Sequence, residues 1–140
     1  SAWLKRIPGF SSRIVVIKDG AGDREGGYRG RHALIDLTLV AGEKDRRRTL
    51  RMIQQYLKPA QRVFVGVIAP IDAHLETAEE VRDRVLEAAE YISPDQLGTT
   101  DDCGFSPFCD DTSTTRAMAF AKIRARVEGT RLAAAALGLG

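Results

Sequence analysis

The chain has 140 residues, 44% hydrophobic and 29% charged, with 21 basic against 19 acidic side chains and a formal net charge of +2. Those values describe a globular domain able to bury a core, and they speak against collagen-like, wholly disordered and membrane-embedded classes. The balanced charge gives no argument for a nucleic-acid or membrane-surface partner, and two cysteines are too few for a disulfide scaffold.

No apolar run approaches the roughly 20 residues of a membrane span. Ser1 to Phe10 lacks the apolar stretch of a secretory signal, so a reduced cytoplasmic compartment is expected. One domain over residues 1–140 is expected, with an N-terminal strand and Gly-rich loop over 1–33 and β/α units over 34–140.

In chain order, Ser12 to Ile17 carries a β-branched run that predicts a buried strand. Asp19 to Arg31 holds Gly20, Gly22, Gly26, Gly27 and Gly30 and reads as a loop. Leu34 to Val40 is a second strand, broken by Gly42. Asp45 to Leu57 places Leu50, Ile53, Tyr56 and Leu57 at helical spacing, and Pro59 ends the helix. Arg62 to Ala69 is apolar on both faces, as a covered parallel strand is.

Thr77 with Glu80 forms a Thr-x-x-Glu capping box, opening a helix that runs to about Ile92 with Val81, Val85, Ala88, Ala89 and Ile92 on one face. Ser93-Pro94-Asp95 is a turn and Gln96 to Thr100 a short strand. Asp101 to Asp111 is a loop with both cysteines, and a last helix runs from about Thr112 through Phe120, Ile123 and Val127 toward Ala136.

Alternating strands and helices predict a parallel α/β sheet. In such folds chemistry gathers at the carboxyl ends of the strands and in the loops next to them. Three places qualify: Val40 to Glu43, Ala69 to Glu76, and Asp101 to Cys109.

In Asp101-Asp102-Cys103-Gly104, a cysteine after a short strand presents a thiolate that binds zinc or attacks as a nucleophile, or else lies inert in a turn. The adjacent aspartates disfavour a free thiolate, and a bound cation makes better sense of them. Cys109, six positions on, lacks Cys-x-x-Cys spacing and reads as a spectator.

His74 is a ligand or general base, or an ordinary loop histidine, and His32 beside the Gly-rich loop is a weaker candidate. Glu76 either favours the positive end of a helix dipole or meets substrate. Arg46, Arg47, Arg48 and Arg51 read as a solvated face paired with nearby acids.

The Gly-rich stretch fails the dinucleotide fingerprint, because Glu25 stands where Gly20-Ala21-Gly22 needs a glycine, and it fails the phosphate-loop pattern too. No Gly-x-Ser-x-Gly elbow and no His-Glu-x-x-His motif occurs.

Five ordered pieces carry a resemblance. They are Val65-Gly66-Val67-Ile68, Leu75-Glu76-Thr77 with Glu79-Glu80-Val81, Ile92-Ser93-Pro94-Asp95-Gln96-Leu97, Asp102-Cys103-Gly104-Phe105, and Lys122-Ile123 with Val127 to Ala133. Together, Arg62 to Ala136 resembles the C-terminal part of the cobalamin-independent methionine synthase family, a little over half the chain. The resemblance implies a (β/α) barrel, and a complete one takes about 250 residues, so this chain holds a partial barrel of parallel strands.

It also implies zinc-dependent transfer of a methyl or alkyl group to a thiol such as homocysteine, with a methylated-folate-like or other alkyl donor. A related branch joins coenzyme M to epoxides. Cys103 matches the family's C-terminal zinc cysteine, Asp102 and Gly104 would shape its loop, and His74, Glu76 and Asp102 would border the substrate.

The family's His-x-Cys pair does not occur, since Ala33 and Leu34 come after His32. Val40 stands where the methionine synthases carry a glutamate, Glu43 is out of register, and Thr100-Asp101 replaces Asn-Pro. Three accounts are open. The chain is a piece completed by a second copy or by a complementary chain bearing the His-x-Cys half; or it is a non-catalytic interaction subunit that keeps the fold; or it builds a zinc site from Cys103 with His74, Cys109 or an aspartate. Unpaired apolar sheet edges favour the first.

Overall fold

The computed structural model describes residues 14–15, 34–37, 44–102, 105 and 114–139. In chain order these form β1 (Ile14–Val15), β2 (Leu34–Leu37), α1 (Arg46–Tyr56), β3 (Arg62–Ile68), α2 (Ala78–Ala89), a single 3-10 turn (Pro94–Gln96), β4 (Leu97–Asp101) and α3 (Arg116–Ala136). Each predicted strand and helix has its counterpart. Both crossover helices are capped as their sequences dictate: Asp45 accepts from the Arg48 N–H at the head of α1, and Thr77 and Glu80 close a reciprocal box at the head of α2.

The sheet order is β1-β2-β3-β4. Strands β2, β3 and β4 are parallel, whereas β1 runs antiparallel to β2, which corrects the expectation of parallel strands throughout. A parallel pairing needs a crossover, usually a helix. α1 and α2 supply it for β3 and β4, while the five glycines between Asp19 and Arg31 carry no helical period.

One face of the sheet is covered by helices. Val63, Val65 and Val67 are fully buried there with Leu50, Ile53, Val81, Val85, Ala88, Ile92 and Ala133. On β4 the same face brings the Thr99 hydroxyl within 3.0 Å of the Thr130 hydroxyl on α3. Helix α3 lies close against α2 because Gly129 has no side chain: a Cβ there would come within 2.5 Å of Val81 Cβ. The buried residues of α3 are Lys122, Gly129 and Ala133, while Phe120 and Val127 are exposed. No described helix is long and apolar enough to cross a membrane.

The opposite face carries Phe64 and Gly66 on β3 beside Gly98 and Thr100 on β4. Gly98 is small because the Phe64 ring lies across it, 2.6 Å from where a Cβ would stand.

Candidate functional site

The parallel strands end at a common carboxyl edge, where residues 69–76 follow β3 and Asp102 follows β4. The pairing of β3 with β4 slips by one residue: Gly66 pairs with Thr100 but Ile68 with Asp101, so Val67 is an extra residue on β3. Such a bulge bends a strand and re-aims the residues beyond it. Arg84 on α2 donates to the Val67 carbonyl at 2.7 Å. Just past the bulge the Asp102 N–H donates to the Ile68 carbonyl at 2.9 Å, which ties the start of the cysteine loop to β3. The Asp102 carboxylate then folds back over Gly66, and a Cβ on Gly66 would overlap Asp102 Oδ1. Asp102 is only 5% exposed in that position.

The loop over residues 69–76 is held from beneath by a buried charge network. Lys122 on α3 is fully buried. Its ammonium donates to the Ala69 carbonyl at 3.1 Å, to the His74 carbonyl, and to Glu76 Oε2 at 2.8 Å. These three acceptors satisfy its three donors. Glu76 is 2% exposed; its Oε1 accepts from the Ala69 N–H at 2.8 Å and from Arg84 at 3.4 Å. Burial pushes the Glu76 carboxyl up, but the Ala69 N–H and the Lys122 ammonium outweigh it and hold the group below the usual carboxylate range. Thr114 adds a further tie, donating to the Pro70 carbonyl at 2.9 Å.

His74 stands on this loop with an exposed ring, 3.0 Å from Glu80 Oε2. The Thr77 N–H and His74 together hold the Glu80 carboxyl below its ordinary value. Beneath the edge, on the helix-covered face, Arg126 Nε lies 3.1 Å from Asp101 Oδ1, a pair by distance whose angles fall short of a hydrogen bond. Burial pushes the Asp101 carboxyl up, and Arg126 offsets only part of that.

The structure therefore brings Asp102, Glu76 and His74 to one edge of the sheet, in two neighbouring loops. Glu76 is turned inward, bonded to the chain's own groups, and His74 outward. Cys103, Gly104, Cys109, His32 and the Val40 to Glu43 segment lie outside the described residues. Among the described residues no three His, Cys, Asp or Glu side chains are grouped as metal ligands.

Two residues of this edge escape a reading of local pattern. Lys122 escapes because its partners lie 46 to 53 positions away. Its one local signal is a lysine on the helix stripe shared with Gly129 and Ala133. Gly66 escapes because its role is room for Asp102. The arginines of α1 behave as expected: Arg46 and Arg47 pair with Glu87 at 2.9 and 3.0 Å, and Arg47 also with Glu90.

The chain is similar in sequence to 2-hydroxypropyl-CoM lyase of Xanthobacter autotrophicus (strain ATCC BAA-1158 / Py2). Identity is 31% over 111 residues, which is 79% of this chain and 28% of that protein. It is also similar to YxjG, an uncharacterized protein of Bacillus subtilis (strain 168), with 31% identity over 75 residues, 53% of this chain and 20% of that one.

The structure of a B12-independent methionine synthase from Shewanella sp. W3-18-1, in complex with selenomethionine, superposes with a TM-score of 0.57 and 24% identity. The match covers 74% of this chain and 27% of that one. No family model matches the chain. The matches thus span between a fifth and little more than a quarter of the length of these relatives. The structural likeness shows the fold, an α/β arrangement of parallel strands and helices shared with a methionine synthase.

Proposed function

We propose that this chain supplies the closing β/α units of a barrel that transfers a methyl or alkyl group to a thiol. The observation that carries the reading is the likeness to 2-hydroxypropyl-CoM lyase over 79% of the chain. The sequential order of β2, β3 and β4, each parallel to the next, supports a segment of such a barrel. The acceptor is a small thiol of the homocysteine or coenzyme M kind, and the donor a methylated-folate-like or other alkyl compound.

Cys103 is the residue of this chain that would hold zinc, and the chemistry zinc supplies when bound is deprotonation of a coordinated thiol near neutral pH. The chain carries no His-x-Cys pair, and in this reading a second copy or a complementary chain or segment bearing that pair supplies the remaining ligands. In this reading Asp102, fixed over Gly66 and bonded to the Ile68 carbonyl, anchors the chain just before Cys103. His74 borders the mouth from the neighbouring loop. Glu76 acts by holding that loop.

The test is the zinc content of the native protein, purified under reducing conditions, for the wild type, Cys103→Ser and Cys109→Ser. Zinc near one per chain is expected, lost in Cys103→Ser and kept in Cys109→Ser. The reverse pattern would overturn the ligand assignment. No zinc after reconstitution, alone or co-expressed with a chain carrying the His-x-Cys half, would sink the transfer reading in favour of a non-catalytic interaction subunit that keeps the fold.

A further inference from the structure

We infer that Lys122 is the positioning residue of this site: from α3 it fixes the loop over residues 69–76 at the carboxyl edge, and through that loop it sets where His74 stands. This rests on the reading that the carboxyl edge is the working site. A lysine is seldom fully buried unless it is paired. Here the ammonium has a full set of partners, and two of the three are backbone carbonyls of one loop, Ala69 and His74. An ammonium buried against Glu76 has two further donors to satisfy, and both go to carbonyls of this one loop. The third partner, Glu76, closes the same loop on itself by accepting the Ala69 N–H at 2.8 Å.

The ammonium therefore spans the loop from its first residue to His74, and the loop's own turn lies inside that span. There the Asp72 N–H donates to the Ala69 carbonyl at 3.2 Å, and the His74 N–H to Asp72 Oδ1 at 3.0 Å. Pro70 is buried at the loop's start, but Ile71, Asp72, Ala73, His74 and Leu75 are all exposed, so little apolar burial holds the stretch that carries His74. Its conformation is set by polar bonds, and Lys122 makes more of them than any other described side chain from outside the loop.

The prediction separates holding the loop from filling the core. Replacing a buried ion pair by apolar side chains of similar size is often neutral for stability, whereas removing one partner is not. Three forms of the whole chain are compared by amide hydrogen exchange read by NMR: wild type, Lys122→Met, and the double variant Glu76→Met with Lys122→Met. The reporting amides are Asp72 and His74 in the loop, whose own acceptors survive both substitutions, and Val65 and Val67 in β3.

In the double variant the β3 amides are expected to keep wild-type protection while the loop amides exchange about ten- to a hundredfold faster, the loss that matches charge-assisted hydrogen bonds. The His74 ring is expected to lose its close approach to Glu80, read as a lost nuclear Overhauser effect between them. If the double variant keeps both loop protection and the His74–Glu80 contact, Lys122 is only a core filler and the proposal falls. If loop and β3 amides accelerate together, the role is global stability, and the proposal also falls.

Should Lys122→Met fail to fold, Glu76→Gln keeps an acceptor for the Ala69 N–H and is read in the same way, with a smaller loop-specific acceleration expected. Zinc and transfer activity do not enter this experiment. Failure of the transfer reading would leave the exchange result standing, and failure of the exchange result would leave zinc binding to be judged on its own.

Discussion

At Gly66 the missing Cβ leaves the volume that the Asp102 carboxylate occupies. Gly66→Ala puts both groups in one place, and overpacking of a tight site costs about 1–3 kcal/mol. Urea denaturation should show that loss in the native background and most of it relieved by Asp102→Gly, since contacting residues couple. An equal loss in both backgrounds would mean that the Cβ meets something else.

Glu76 and Asp101 give pH dependences of opposite sign. Glu76 is held below its ordinary range in the folded chain. Its contribution is complete above the unfolded carboxylate pKa and is lost as pH falls through the folded value. Asp101 is raised, so the folded state binds its proton more tightly. Between the unfolded and the raised folded value, that group adds stability as pH falls. Thermal melts from about pH 3 to 7, the range in which carboxylates titrate, should show Glu76→Gln with lower neutral stability and a flatter acid limb. Asp101→Asn should remove a gain on acidification. Neither behaviour is legible in the sequence, where both residues are simply acids near strand ends. Their partners, Lys122 and Arg126, are one helical turn apart on a helix distant in the chain.

Among the elements, α2 is the most legible, because its signals are local: Thr77 and Glu80 three residues apart, then valines and alanines at helical spacing. Thr77→Ala should cost about 1 kcal/mol, measured by urea denaturation, and Glu80→Gln less, since one half of the box remains. Helix α3 was legible in extent but not in orientation. Phe120 and Val127 mark an apolar face, yet the buried stripe is Lys122, Gly129 and Ala133. Side-chain size decided it: α2 comes too near at Gly129 for anything larger. Gly129→Val should therefore destabilise by about 1–3 kcal/mol or more, while Val127→Ala on the exposed side should fall within about 0.5 kcal/mol of neutral; thermal denaturation of the two variants checks the face. The direction of β1 was not legible at all, since pairing direction depends on how the connection runs and not on the strand's own residues.

For the molecule as a whole, the alternation of strand and helix is what local periodicity conveys well. The candidate site was legible as a place, the carboxyl edge of the sheet. Its wiring was not, because it joins residues from β3, the loop after it, α2 and α3. The Lys122 bonds have a further consequence, for the order of events in time. Their acceptors precede the lysine by 46 to 53 residues, so β3 and α2 can pair and pack before the ammonium reaches the loop. Contacts of that kind form late and have little weight in the folding transition state. Lys122→Met should thus leave the refolding rate nearly unchanged and express its loss of stability as faster unfolding. In a chain leaving the ribosome, the loop that carries His74 would be made early and fastened last.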